Sequence, residues 1–337
     1  GEGEREGGEN EKGGRVNTYA DNAQVFERLG PIALQSVLEG LNTCVFVHGV
    51  KSSGRSYTLF GPEHDPGLVP RCLQALMSSA LVTSQKIGVL ASFCEIRNEQ
   101  IRDIFARGSD DSPHIRKTSS GKNEVAGMKR LRLRTLDDSL ECLSHAIVNS
   151  DVATGAHTIF TIQLFHVTFR THPDPNQDMV EEELSSKLSS LHFIDLSGTS
   201  STSADLNLPK ALRPPPASLD KALQSWGTCM SALALLQTRG SASKVHVPFR
   251  GSLLTRYLED SLGSGSRSIV IATLSPSHLA YKESLNTFRQ VTRTKEVRAV
   301  VRDTSTLQPY LADTDFIPSA GGGWRWSYSS RSEAPLR

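Results

Sequence analysis

Between Thr43 and Ser56 the chain reads TCVFVHGVKSSGRS, an apolar run that gives way to glycine and serine and then to a helix-compatible segment. No other stretch narrows the fold as much. A short buried strand, a loop with glycine at both ends (Gly49, Gly54) and a following helix form the setting in which G-x-x-x-x-G-K-[ST] cradles phosphate oxygens on backbone N–H groups. In that pattern the lysine meets the β/γ oxygens and the hydroxyl meets Mg²⁺; here the lysine is replaced by Arg55 and the hydroxyl is kept as Ser56. A plain Gly-Ser turn fits the same letters, so the loop needs support from the rest of the chain.

That support starts with alternation. Helix patterns over 23–40, 136–149 and 219–236 are interleaved with strand patterns over 43–48, 87–96, 157–169, 188–195 and 268–274. Such interleaving favours an α/β fold with a mostly parallel central sheet flanked by helices on both faces. Leu136, Leu140, Leu143 and Ile147 keep one helix face, and Leu219, Leu223, Trp226, Met230 and Leu233 keep another; both stripes read as core. Arg213-Pro214-Pro215-Pro216 forces the second of these helices to start near Ser218. The polar stretch 172–183 reads as an exposed hairpin loop, and the Arg130–Arg134 alternation as the solvent side of an edge strand.

Composition removes several function classes. Lys+Arg total 37 against 36 Asp+Glu, so a globally basic nucleic-acid binder is excluded, and no apolar run is long enough to span a bilayer. Neither nucleic acid nor membrane is expected as a partner. The Gly/Glu-rich start lacks the apolar core of a signal peptide, and the five cysteines are widely spaced with no C-x-x-C, which points to reduced thiols in a soluble intracellular protein. His166 and His172 lack partners at ligand spacing, and Ser264 lacks a nucleophile-elbow context.

Six segments in order resemble the kinesin motor domain. The stretch FERLGPIALQSVLEGLNTCVFVHGVKSSGRSYTLFGPEHDPGLVPR is similar to the family's "EGYN" helix end, strand, GQTGSGKT loop, "YTM.G" and "GLIPR". FCEIRNEQIRDIF resembles "EIYNE.I.DLL", GAHTIFTIQL the switch I ending "SSRSH..FTI", and SSLHFIDLSGTS the switch II segment "L..VDLAGSE". SLDKALQSWGTCMSALALL and HVPFRGSLLTRYLEDSLGSGSRSIVIATLSPSHLAYKESLNTFRQVTRTKEV follow two further family segments. The resemblance implies a P-loop NTPase-type motor domain over 16–302, between a Gly/Glu-rich extension at 1–15 and a Gly/Ser/Trp-containing tail at 303–337. It also implies a site for ATP or ADP with Mg²⁺ at Gly49, Ser53, Gly54, Arg55, Ser56 and Tyr57, with the metal near Ser56, Thr154 and Asp195. The catalytic positions it implies are Thr154, Asp195 and Gly198.

The departures from the family fall on these same parts. Arg55 is a planar fork where the family has a compact ammonium, and Ser52 adds a Cβ at the loop's middle glycine. The switch I arginine is Gly155 and the switch II glutamate is Ser200, so both members of the salt bridge that the resemblance implies between the switches are gone. Losing one partner of a buried pair costs about 3–5 kcal/mol, whereas losing both is close to neutral. Phosphoryl transfer depends on positioned charge, so an impaired kinesin-type ATPase is expected. The family's opening strand, with its "R.RP" segment, has no counterpart before Asp21, and a missing first strand is expected.

The segment 246–262 resembles the family's tubulin-facing loop and helix. Tubulin is acidic, and Lys221, Lys244, His246, Arg250 and Arg256 are the residues expected to meet it. The preceding segment 199–216 is Ser/Pro-rich, which predicts poor coupling between nucleotide and track. The reading preferred is therefore a microtubule-binding structural or regulatory pseudo-motor with weak or no ATPase. The alternatives are an active ATP-driven motor and an interaction scaffold that does not bind tubulin. Expected surroundings are the cytoplasm and cytoskeleton, with a cilium or flagellum axoneme as the stationary assembly that fits such a protein; a second kinesin-like subunit or axonemal proteins are the further partners.

Overall fold

Thr43–Gly49 forms a strand in which every residue is buried, and the rest of the architecture is arranged around it. The computed structural model describes residues 21–83, 87–106, 112–117, 123–150, 156–174, 177–197, 216–239, 245–262 and 266–294. The expected extension at 1–15, the tail at 303–337 and the question of an opening strand lie outside these residues.

In chain order the helices are α1 (Asn22–Leu38), α2 (Arg55–Leu59), α3 (Leu68–Met77), α4 (Ala80–Thr83), α5 (Leu136–Asn149), α6 (Pro216–Arg239), α7 (Leu253–Tyr257), α8 (Glu259–Leu262) and α9 (Tyr281–Thr294). The strands are β1 (Thr43–Gly49), β2 (Ile87–Arg97), β3 (Gln100–Asp103), β4 (His114–Lys117), β5 (Asn123–Ala126), β6 (Leu131–Leu133), β7 (His157–Asp174), β8 (Gln177–Leu196) and β9 (Arg267–Thr273). The main sheet has the order β3-β2-β7-β8-β1-β9, with β6 also on β2; β4 and β5 form a separate pair.

This sheet is mixed. Among the described strands only β1–β8 and β1–β9 run parallel, and the pairings of β2 with β3, β6 and β7, like that of β7 with β8, are antiparallel. The parallel character expected from the alternation is confined to the three strands around β1. Much of the antiparallel part is the β7–β8 hairpin, which also corrects the loop expected over 172–183. Its ladder continues to the pair Asp174↔Gln177, with register shifts at Thr168/Phe169 and His172/Asp174 on the way. Backbone groups alone make that ladder, so a polar sequence carries it without the apolar alternation that marks a buried strand.

Along β1 successive residues face opposite sides, as the two-residue period dictates. Val45 and Val47 join Leu34 and Val37 of α1, Leu73 and Leu76 of α3 and Leu143 of α5 in one apolar cluster. Phe46 joins Leu223, Trp226 and Met230 of α6 and Leu254 and Leu258 around α7 in the other. The anticipated stripe on α5 is buried or half-buried, as is that on α6 from Leu223 to Leu233; the side chain of Leu219 lies outside those described. Trp226 is fully buried, its ring 5.5 Å from Phe46. Burying an aromatic or branched side chain contributes about 1.5–3 kcal/mol, so these two layers set the position of β1.

The local stops follow the sequence. Asp21 caps α1 by accepting from the Gln24 N–H at 2.8 Å. Gly40 ends it at φ 82°, with Gly40 N bonded to Val37 O and Leu41 N to Ser36 O, a Schellman arrangement that hands the chain to β1. Thr135 and Asp138 form a capping box at the start of α5. Helix α6 begins at Pro216, two residues before the position expected, because proline is tolerated in a first turn. Leu133 of β6 is buried while Arg130, Arg132 and Arg134 are exposed, as the edge-strand pattern predicts. All five cysteines are buried free thiols.

Candidate functional site

The loop leaves the carboxyl end of β1, where parallel neighbours β8 and β9 flank it. At Gly49 a Cβ would lie 2.1 Å from Thr273 Oγ1 and 2.3 Å from Thr273 O, so only glycine allows β9 this close. Ser53 ties the loop to its own start and to β9: its hydroxyl donates to Val50 O at 2.7 Å and lies 2.7 Å from Thr273 Oγ1. Gly54 has φ 98° with open space where a Cβ would point, and exposed Ser52 has φ 62°. The left-handed backbone of a phosphate loop is therefore kept at the position where the family's glycine has become serine.

Helix α2 opens with Arg55 and Ser56, and both turn toward the end of β8. Arg55 Nη1 donates to the carbonyl of Leu196 and sits 3.4 Å from Asp195 Oδ1. Ser56 Oγ donates to Asp195 Oδ2 at 2.7 Å. The side chains of Arg55 and Asp195 are 13% and 5% exposed, which makes this a nearly buried ion pair. Among the described residues Asp195 Oδ1 receives no hydrogen bond; the guanidinium is its counter-charge at Coulombic range.

Two neutral imidazoles complete the surroundings. His157, the retained switch I histidine, accepts the Ser197 N–H on Nδ1 at 3.1 Å, so its proton sits on Nε2. Burial first, then the charges of Arg55 and His48, push its pKa down to about 3. His48 on β1 lies 2.7 Å from Gln290 Oε1 on α9 through Nε2, and burial lowers its pKa as well. Tyr57 is half-exposed and donates to Asp65 Oδ2 at 2.8 Å, a bond that raises its pKa.

The sequence thus brought Gly49, Ser53, Gly54, Arg55, Ser56 and Asp195 to one place, and the structure assembles them there. Thr154, Gly155, Gly198 and Ser200 lie outside the described residues. Sequence reasoning missed Thr273, Gln290 and Ser197, whose contacts join positions far apart in the chain and leave no local signal.

On another part of the molecule, the basic residues expected to meet a track divide. Lys221, His246 and Arg250 are exposed, and Lys244 lies outside the described residues. Arg256 is half-buried, with Nη2 3.5 Å from the Ile115 carbonyl of β4. Glu99, at φ 58° beside Asn98 at φ 51° in the β2–β3 turn, links the region. Its Oε2 accepts the Leu253 N–H at 2.7 Å and lies 3.7 Å from Lys221 Nζ, joining α7 to α6.

Residues 15–297 match the family defined as the kinesin motor domain. The chain belongs to the kinesin motor domain family. Human kinesin-like protein KIF16B is 32% identical over 298 residues, covering 83% of this chain and 22% of that protein. Drosophila melanogaster Klp98A is 31% identical over 307 residues, covering 83% of this chain and 23% of its own length. The chain thus spans about a fifth of the length of the curated relatives it matches. In three dimensions it is similar to a KIF14 motor segment solved with ADP in complex with a microtubule, at TM-score 0.70 and 25% identity, covering 89% of this chain and 82% of that one. A KIF14 dimer in a two-heads-bound state, solved with AMP-PNP and a microtubule, gives TM-score 0.72 at 26% identity, covering 84% of this chain and 79% of that one.

Kinesin motor domains hold nucleotide with Mg²⁺, and the residues present fit the two parts of that group differently. A phosphate fits. The loop keeps its left-handed turns at Ser52 and Gly54, the space beside Gly54 is open, and Arg55 supplies positive charge. A divalent cation at Asp195 does not fit this arrangement, because one carboxylate oxygen accepts the Ser56 hydroxyl's hydrogen bond and the other faces the guanidinium.

Proposed function

We propose that this kinesin-family chain binds microtubules as a structural or regulatory element, with ATP turnover weak or absent and a nucleotide, ATP or ADP, retained on the phosphate loop. The observation that carries the reading is the Arg55 guanidinium drawn onto Asp195 and the Leu196 carbonyl, between the loop and the switch II strand. In phosphoryl transfer this ground is where positioned charge does the catalytic work. Here the charge neutralises an acid of the protein itself. Gly155 and Ser200 add to it, because neither supplies the switch-to-switch ion pair that the family resemblance implies.

Exposed Lys221, His246 and Arg250 support an acidic track as partner, and the two KIF14 segments solved on microtubules carry the same fold. The near-zero net charge leaves that patch, with Lys244, to do the work. A cytoskeletal location follows from this reading. A stationary assembly such as an axoneme, or a neighbouring kinesin-like subunit, suits a chain that binds without stepping.

The test pairs microtubule co-sedimentation with steady-state ATPase. Binding to taxol-stabilised microtubules is expected, with stimulated turnover below about one thousandth of a motor's rate. Turnover at motor rates, or a chain that stays in the supernatant, overturns the reading.

A further inference from the structure

We propose that Arg55 takes the place of a divalent cation at Asp195, so that the loop binds a nucleoside di- or triphosphate with an affinity that does not depend on Mg²⁺. The inference rests on the reading above that the loop retains nucleotide, and it names how the loop does so.

The two cations compete for the same acid. A magnesium ion is a hard dication that recruits carboxylate oxygens and hydroxyls, and Asp195 with Ser56 is the described pair of that kind at the loop. Oδ2 accepts from the Ser56 hydroxyl at 2.7 Å, and Oδ1, without a hydrogen bond among the described residues, already has its counter-charge in Arg55 at 3.4 Å. Arg55 is anchored a second time on the Leu196 carbonyl, so the guanidinium is held by two groups of β8. With so little exposure on either side chain, solvent screens the pair weakly. A dication brought to Asp195 meets a permanent positive charge there, since a guanidinium does not lose its proton.

The same residue also supplies what phosphate needs. Both contacts to β8 use a single nitrogen, Nη1, and the fork carries five N–H donors in all. Among the described residues the other two nitrogens meet no partner, which leaves them for phosphate oxygens while Nη1 stays on Asp195. A lysine cannot divide itself this way, because its ammonium is one point charge. Ser52 and Gly54 preserve the left-handed turns of the loop, so its backbone arrangement does not rely on a metal.

The experiment is isothermal titration calorimetry of ADP into the 337-residue chain, once in MgCl₂ and once in EDTA. Coupling between metal and nucleotide is read as the ratio of the two dissociation constants. A ratio within about threefold is expected for the protein as it stands, and a ratio above about tenfold for Arg55→Lys. A ratio above about tenfold in the unaltered protein overturns the proposal. Absence of ADP binding in both buffers overturns it together with the retained nucleotide of the proposed function, whereas a metal-dependent ADP affinity overturns this proposal alone; microtubule binding and turnover are decided separately by co-sedimentation and ATPase. Circular dichroism melting establishes that Arg55→Lys is folded; should it not fold, the two titrations of the unaltered chain decide.

Discussion

The interior of β1 and its carboxyl end are separated by a few residues and behave as different kinds of region. Inside, Val45 and Val47 face one packed layer and Phe46 faces the other, and a change at any of them leaves a cavity or a clash. At the end, the loop holds Ser52 where glycine is easiest and Arg55 where a lysine is usual, yet the backbone turn and a compensated ion pair survive. Packing constrains the strand whatever the chain does for a living. Past Gly49 and Ser53, which β9 holds, the loop is less tightly packed, and a substitution there is tolerated once the protein supplies its own partner, as Asp195 does for Arg55. The stability of this fold therefore lies in the layers around β1, while among the described residues the altered chemistry sits at its tip.

The largest test of that division is Trp226→Ala. The indole is fully buried against Phe46, and its removal is expected to lower unfolding free energy by about 3–5 kcal/mol in urea denaturation. A loss below about 1 kcal/mol would mean that the α6 layer does not hold β1, and the contrast between scaffold and tip would fail.

Two buried histidines sharpen the comparison by pH. His157 stands beside the loop with its pKa pushed down to about 3 by burial and then by Arg55 and His48, whereas His192, in the sheet interior near Tyr257, is pushed down to about 4 by burial alone. In the unfolded chain both titrate near the ordinary 6.5, so below that pH the unfolded state binds more protons than the folded one. Their contribution is thus full above pH 6.5 and is lost as pH falls toward 4 and then 3. At pH 5 each is expected to cost about 2 kcal/mol relative to neutral pH, read from urea titrations, with His192→Gln removing its share of the slope. Arg55→Met should raise the pKa of His157 in an NMR titration and leave that of His192 where it was. Equal shifts at both would show that Arg55 does not act locally at the tip.

What the sequence made legible divides along the same line. The TCVFVH run, the stripes on α5 and α6 and the edge alternation at Arg130–Arg134 are short-range patterns, and each corresponds to an observed element. The polar end of the β7–β8 hairpin was not legible, because its ladder is made by backbone groups that every residue carries. At the site, residue types announced a phosphate loop and a charged replacement. They could not say that the guanidinium turns inward to Leu196 and Asp195, since that direction depends on where β8 ends, about 140 residues later in the chain. Ser53 with Thr273 and His48 with Gln290 were out of reach for the same reason, being contacts across 220 and 242 positions.

The smallest expected effect isolates the loop's backbone from its chemistry. Ser52 is exposed and sits at φ 62°, where a side chain with a Cβ costs about 1–2 kcal/mol and glycine costs nothing. Glycine also brings greater freedom to the unfolded chain, a loss of about 0.5–1 kcal/mol, so Ser52→Gly is expected to stabilise the protein by a net gain of about 0.5–1 kcal/mol. The measurement is the midpoint of urea unfolding at unchanged slope. A gain means that the surrounding strands impose the left-handed turn against the preference of the residue, and that the tip of β1 inherits its shape from the packed interior even where its residues have changed. A loss of stability would instead mean that the serine side chain holds the turn by its own bonds, and that the loop has been rebuilt around its new residues and no longer takes its form from the strand beneath it.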